Sequence, residues 1–175
     1  MKQTLVFMVI AMLLAGSLWL YGTYFSTPRP PHRRPAGTTS PDNRRVEKTD
    51  AEWRNVLTRS QYGVMRNRDT EWPNSSPLTH EHRKGIYACA GCHNRLFSSQ
   101  TKYDSNTGWP SFSTTIVPNA VYTEPDGNRT EVRCSVCDAH LGHVFNDGPE
   151  PTGLRYCING TALRFEPTTI SQLVR

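Results

Sequence analysis

Five cysteines carry most of the chemistry this sequence can do. Four fall in two pairs of identical spacing, "CAGC" (Cys89, Cys92) and "CSVC" (Cys134, Cys137), with 41 residues between Cys92 and Cys134. Each pair can hand two thiolates to one ion from a tight turn. Two such hooks make the four-sulfur tetrahedral site that zinc favours. A closed site of this kind leaves no position for water, so it joins two distant hairpins and does no chemistry. Two disulfides are the alternative, which an exported location would permit. His93 directly follows Cys92, but with four thiolates it is surplus and reads as an exposed turn histidine.

Cys157 is left over. A lone cysteine usually packs as a small hydrophobe, and its neighbours argue against that here. In the strand-like run "LRYCIN" alternate residues share a face. Tyr156 and Ile158 point one way, and Arg155, Cys157 and Asn159 the other. The second face is polar. A cation beside a thiol is expected to lower its pKa and favour the thiolate, the reactive form. Upstream, "HLGHVFNDG" supplies His140 and His143. A histidine able to protonate a leaving oxygen complements a thiolate nucleophile. Trp109 and Phe112 of "TGWPSF" could form an aromatic wall or belong to the core.

These residues need a frame. "TDAEW" is a capping box, with Thr49 as N-cap and Glu52 three residues on, and opens a short helix through Leu57. A second helical turn is expected over "SQYGVMRN". After "EWPNSSP" the chain turns to strands: "GIYAC", "VYTE", "TEVRC" and "LRYCIN" are rich in β-branched and aromatic residues. Asp126-Gly127 between two of them signals a hairpin, and "NDGPEPTG" reads as a stiff loop. The expected fold is mainly β: a small domain of antiparallel strands with one or two helices at its start.

Residues 4–28 carry no charged side chain, and a Pro- and Arg-rich stretch follows. Residues 1–25 are therefore expected to be a membrane anchor, with a cleaved signal peptide as the alternative. Residues 26–45 read as a linker, and 46–175 as the folded domain. Trp19, Tyr21 and Tyr24 lie where an interfacial aromatic belt would sit. The short Lys-bearing head favours an extracytoplasmic, periplasmic domain. Arg29, Arg33 and Arg34 keep a cytoplasmic-facing anchor as the alternative. All of the net charge of +5 lies in residues 1–45, which hold six Lys and Arg and one acid. Residues 46–175 hold 14 of each sign, so no basic face for nucleic acid is expected.

Together, "GWPSF", "HLGHVFNDGPEPTGLRYCIN" and the two CxxC hooks resemble the peptide-methionine (R)-S-oxide reductases, the B-type methionine sulfoxide reductases, from about Thr49 to Pro167. The resemblance implies two antiparallel sheets with a structural zinc on Cys89, Cys92, Cys134 and Cys137. It implies Cys157 as the catalytic cysteine and His140, His143 and Asn159 at substrate and acid/base positions. Trp109 would hold the substrate's methyl group, with Phe112 and Arg155 beside it and Asp147 in a supporting role. The implied reaction reduces the R-sulfoxide of methionine in oxidised proteins or peptides, with the free amino acid as a further candidate substrate. The resulting Cys157 sulfenic acid is regenerated by an external thiol such as thioredoxin, as part of repair after oxidative stress. A monomer is expected. Many relatives place a resolving cysteine two residues before the tryptophan of "GWPSF". Here Thr107 holds that place, and the chain has no sixth cysteine. A membrane-tethered zinc ribbon that only binds a partner is the alternative, but it leaves the "RYCIN" face and the two histidines without a purpose.

Overall fold

The computed structural model describes residue 37 and residues 39–168. The anchor expected over 1–25 lies outside them, and among the described residues no helix is long and apolar enough to cross a membrane. Two capping boxes start the domain. Thr49 caps α1 (Asp50–Val56): its hydroxyl accepts from the Glu52 amide, and the Glu52 carboxylate accepts from the Thr49 amide. Thr58 and Gln61 repeat the device for α2 (Arg59–Asn67), satisfying otherwise orphaned amides. The apolar faces of the helices carry Trp53, Leu57, Tyr62, Val64 and Met65 into the core.

Among the described residues all strand pairings are antiparallel. One sheet has three strands in the order β2-β1-β9: β1 is Gly85–Cys89, β2 is Arg95–Ser98 and β9 is Leu163–Pro167. The other has six in the order β3-β4-β8-β7-β6-β5. Its members are β3 (Lys102–Tyr103), β4 (Ser111–Phe112), β5 (Val121–Asp126), β6 (Arg129–Cys134), β7 (His140–Phe145) and β8 (Arg155–Ile158). The β5–β6 hairpin turns at Gly127 and Asn128. Gly127 has φ 62° at the first central position, which a type II′ turn reserves for glycine.

Between the sheets lie Tyr87, Phe97, Phe112, Val132, Leu141 and Ile158, all fully buried. Phe97 stacks on Phe112 at 4.4 Å between ring centroids, and Tyr87 meets Phe112 edge-on at 4.9 Å. Phe112, expected from the sequence beside the substrate, is thus a core residue: its ring is enclosed by other rings. Residues 39–45, read as the end of a spacer, lie against the domain. Asn119 donates to the Thr39 carbonyl, Val46 to the Val136 carbonyl, and Arg45 pairs with Asp138.

Candidate active site and candidate metal centre

The two CxxC hooks have one geometry. Cys89 ends β1 and Cys134 ends β6. In each hook the residue four places on donates its amide back to the cysteine carbonyl, His93 to Cys89 and Asp138 to Cys134. Both of those residues are left-handed, at φ 62° and 59°. His93 therefore serves the turn, exposed and bonded to Arg164. The four sulfurs lie within 4.8 Å of one another, with Cys89–Cys137 at 3.7 Å and Cys92–Cys134 at 3.5 Å. A disulfide needs ~2.05 Å. The edge of a tetrahedron with Zn–S of ~2.3 Å is about 3.8 Å. The donor set fits a tetrahedral metal and does not fit two disulfides. One hook ends a strand of each sheet, and Trp53, Leu57 and Met65 pack over Gly91 in the first. A metal here would join both sheets beneath the helices.

Cys157 lies on β8 between β4 and β7, with Ser111 and His143 as its cross-strand partners. Directly opposed residues put their Cβ atoms about 4.5–5.5 Å apart, so the thiol and the imidazole are neighbours. The approach of β7 depends on Gly142, where a Cβ would stand 2.1 Å from the Cys157 carbonyl oxygen. His140 and His143 are three apart and would face opposite ways on a regular strand. The β6–β7 register shifts by one residue at Leu141, since Val132 pairs with Gly142 but Arg133 pairs with His140. This bulge turns both rings to one side, with centroids 5.5 Å apart. His143 Nε2 lies 2.8 Å from Asp126 Oδ2, and His140 Nδ1 lies 2.6 Å from Glu131 Oε1.

Beside the thiol is a cavity of about 130 Å³ lined by Trp109, His143, Phe145, Cys157 and Asn159 among others. His140, 2% exposed, sits behind His143 and does not line it. Arg155 also stays outside. It grips Asp147 with two hydrogen bonds of 2.8 and 2.7 Å and stacks on Phe145 at 4.4 Å. Asn159 lines the cavity, yet both ends of its amide are committed. Oδ1 accepts from the Glu71 amide at 3.0 Å, and Nδ2 donates to the Leu141 carbonyl at 3.0 Å, inside the bulge.

Glu71 went unnoticed in the sequence. Its carboxylate accepts from the amides of Gly160 and Thr161 and from the Thr161 hydroxyl, and its carbonyl accepts from Trp109 Nε1 at 3.2 Å. It thereby fixes the indole wall, Asn159 and the residues just after β8. Nothing in "DTEWP" signals this, because all its partners are remote in sequence.

Burial pushes the Cys157 thiol above its ordinary value. The Thr107 hydroxyl, 3.9 Å from the sulfur, and the Arg155 cation offset only part of that. The expected net lowering by Arg155 is therefore overturned: the guanidinium spends its strongest contacts on Asp147. Burial likewise pushes His140 down, against the pull of Glu131. Asp126 is held below the usual carboxylate range, chiefly by its bond to His143.

A family profile described as the SelR domain matches residues 57–167. The chain is 53% identical over 128 residues to the peptide methionine sulfoxide reductase MsrB of Herminiimonas arsenicoxydans, covering 71% of this chain and 93% of that protein. It is 50% identical over 137 residues to that of Bradyrhizobium diazoefficiens, covering 76% and 99%. It is 52% identical over 125 residues to that of Methanosarcina barkeri, covering 69% and 88%. The chain belongs to the SelR family of B-type methionine sulfoxide reductases.

Proposed function

We propose that the chain reduces the R-sulfoxide of methionine in oxidised proteins, with Cys157 as its nucleophile. Family membership gives the enzyme class, a peptide-methionine (R)-S-oxide reductase. The observation that carries the mechanism is one half-buried thiol, opposite His143 on the next strand, beside a cavity walled by Trp109.

Asp126 at His143 Nε2 fixes the tautomer protonated there and leaves Nδ1 as an acceptor. In this reading His143 takes the thiol proton as the Cys157 sulfur attacks the sulfoxide sulfur. The attack forms a sulfur–sulfur bond, and His143 returns the proton to the sulfoxide oxygen. That bond and the methionine S–O bond then break as the hydroxyl passes to the Cys157 sulfur, so methionine leaves as the thioether and Cys157 becomes a sulfenic acid. Two equivalents of external thiol, or one dithiol such as thioredoxin, release the oxygen as water and restore Cys157. His140 supports His143 from behind. Trp109 takes the S-methyl group, and Asn159 and Arg155 hold the frame.

Cys89, Cys92, Cys134 and Cys137 would hold zinc, which supplies cross-linking and no reaction chemistry. We also read the uncharged run over residues 4–28 as a membrane tether that holds the domain outside the cytoplasm. Deleting the first 38 residues should release the protein from membranes with turnover intact.

The test of the function is turnover of resolved R and S methionine sulfoxides with dithiothreitol, reading methionine by chromatography. Methionine is expected from the R isomer only. No methionine from either isomer would overturn the reading.

A further inference from the structure

Each active-site histidine is held by a carboxylate, and one arginine meets both carboxylates. Arg68 Nη2 lies 3.0 Å from Asp126 Oδ1 and 2.6 Å from Glu131 Oε2. The opposite oxygens of the same groups hold the rings, Asp126 Oδ2 at His143 and Glu131 Oε1 at His140. Two strands, β5 and β6, and the end of α2 meet at that one guanidinium.

The backbone under Arg68 is unusual as well. It closes α2 in the left-handed region at φ 65°. Glycine or asparagine is the ordinary occupant there, because a Cβ is strained. From this left-handed position the side chain reaches two carboxylates at once.

We propose that Arg68 is a positioning residue that ties the two carboxylate–histidine pairs into one unit and sets the proton affinity of the histidines. The inference rests on the proposed role of His143 in proton transfer. Asp126 faces His143 from β5, and Arg129 on β6 touches Asp126 at 3.0 Å. Glu131 faces His140 from β6, with Arg133 at 3.1 Å from Glu131 and Glu124 beyond it. Cys157 faces His143 from β8. Arg129 and Arg133 each meet one of the two carboxylates that hold the histidines, and Arg68 meets both. Glu131 is 1% exposed, and poor solvation keeps such coupling strong. Removing one cation leaves both rings in a more negative field, so both bind protons more tightly.

The test uses the full-length protein with Arg68→Asn, which suits the left-handed backbone, and Arg68→Lys, which keeps the charge. The imidazole titrations of His140 and His143 are followed by NMR, and kcat is measured against pH. In Arg68→Asn both titrations are expected to rise by about half a pH unit or more. The kcat profile should move to higher pH by the same amount, and kcat at pH 7 should fall by up to about threefold for each half unit, with KM within about twofold. Arg68→Lys should return both titrations toward the original values. A fall in kcat with both titrations unmoved would make Arg68 merely structural and overturn the proposal, as would movement of one ring alone. If Arg68→Asn does not fold, Arg68→Lys carries the test: both titrations raised by about half a pH unit or more despite the retained charge would overturn the proposal, since the charge would then have no effect. The titrations do not depend on turnover, so absence of methionine sulfoxide reduction would refute the proposed function and leave the coupling readable.

Discussion

The Cys157 thiol sits above its ordinary pKa because burial outweighs Thr107 and Arg155. A raised pKa means less thiolate at neutral pH, so the free enzyme should be slow to alkylate. Alkylation of Cys157 by iodoacetamide, mapped by mass spectrometry, should accelerate with pH through and beyond pH 9 rather than level off near neutrality. A plateau below pH 7 would show that Arg155 dominates after all. Glu71 is the second residue to probe. Glu71→Gln keeps the shape but cannot accept from all three donors at Gly160 and Thr161. Charge-assisted hydrogen bonds contribute roughly 1.5–3 kcal/mol each, so a loss of about 2 kcal/mol is expected in denaturant unfolding. Trp109 and Asn159 depend on the same segment, so kcat/KM should fall as well.

β8 was legible in the sequence and β7 was not, and the difference is physical. "RYCI" alternates cleanly, so a period of two put Cys157 and Arg155 on the face the structure gives them. "HLGHVF" breaks its period at the bulge, so spacing alone would have sent His140 and His143 to opposite faces. Only the resemblance brought the two rings together in advance. β3 and β4 are two residues each, too short to carry a period, and Phe112 fell between a wall and a core for that reason. The helix caps were readable because their partners are three residues away. Gly142 tests the β7–β8 element. In Gly142→Ala the new methyl would meet the Cys157 carbonyl at 2.1 Å, which forces the two strands apart. Loss of about 3 kcal/mol or more in stability and at least tenfold in kcat is expected, since overpacking alone costs typically 1–3 kcal/mol. Unchanged unfolding in Gly142→Ala would contradict this account of why the strands lie so close.

At the scale of the molecule, the cysteine spacings announced a metal centre, and the sulfur positions fit one. What spacing could not say is that the hooks end strands of different sheets, with the helices resting on one of them. A metal bound at that place would clamp the whole fold. Cys134→Ser, or removal of metal by a chelator, should cost much of the folding free energy, since structural zinc contributes roughly 10 kcal/mol or more. A cooperative unfolding transition unchanged in the metal-free protein would refute the clamp. A metal there would commit four thiols and leave Cys157 with the Thr107 hydroxyl, 3.9 Å from its sulfur, as its neighbour. In the proposed reaction one cysteine therefore takes up the oxygen alone. This is tested by the intact mass of the protein after one equivalent of methionine R-sulfoxide without reductant. A gain of one oxygen is expected, located at Cys157 by a dimedone-type probe, with the metal retained. A loss of two hydrogens, with a disulfide from Cys157 to a hook cysteine and metal released, would contradict it.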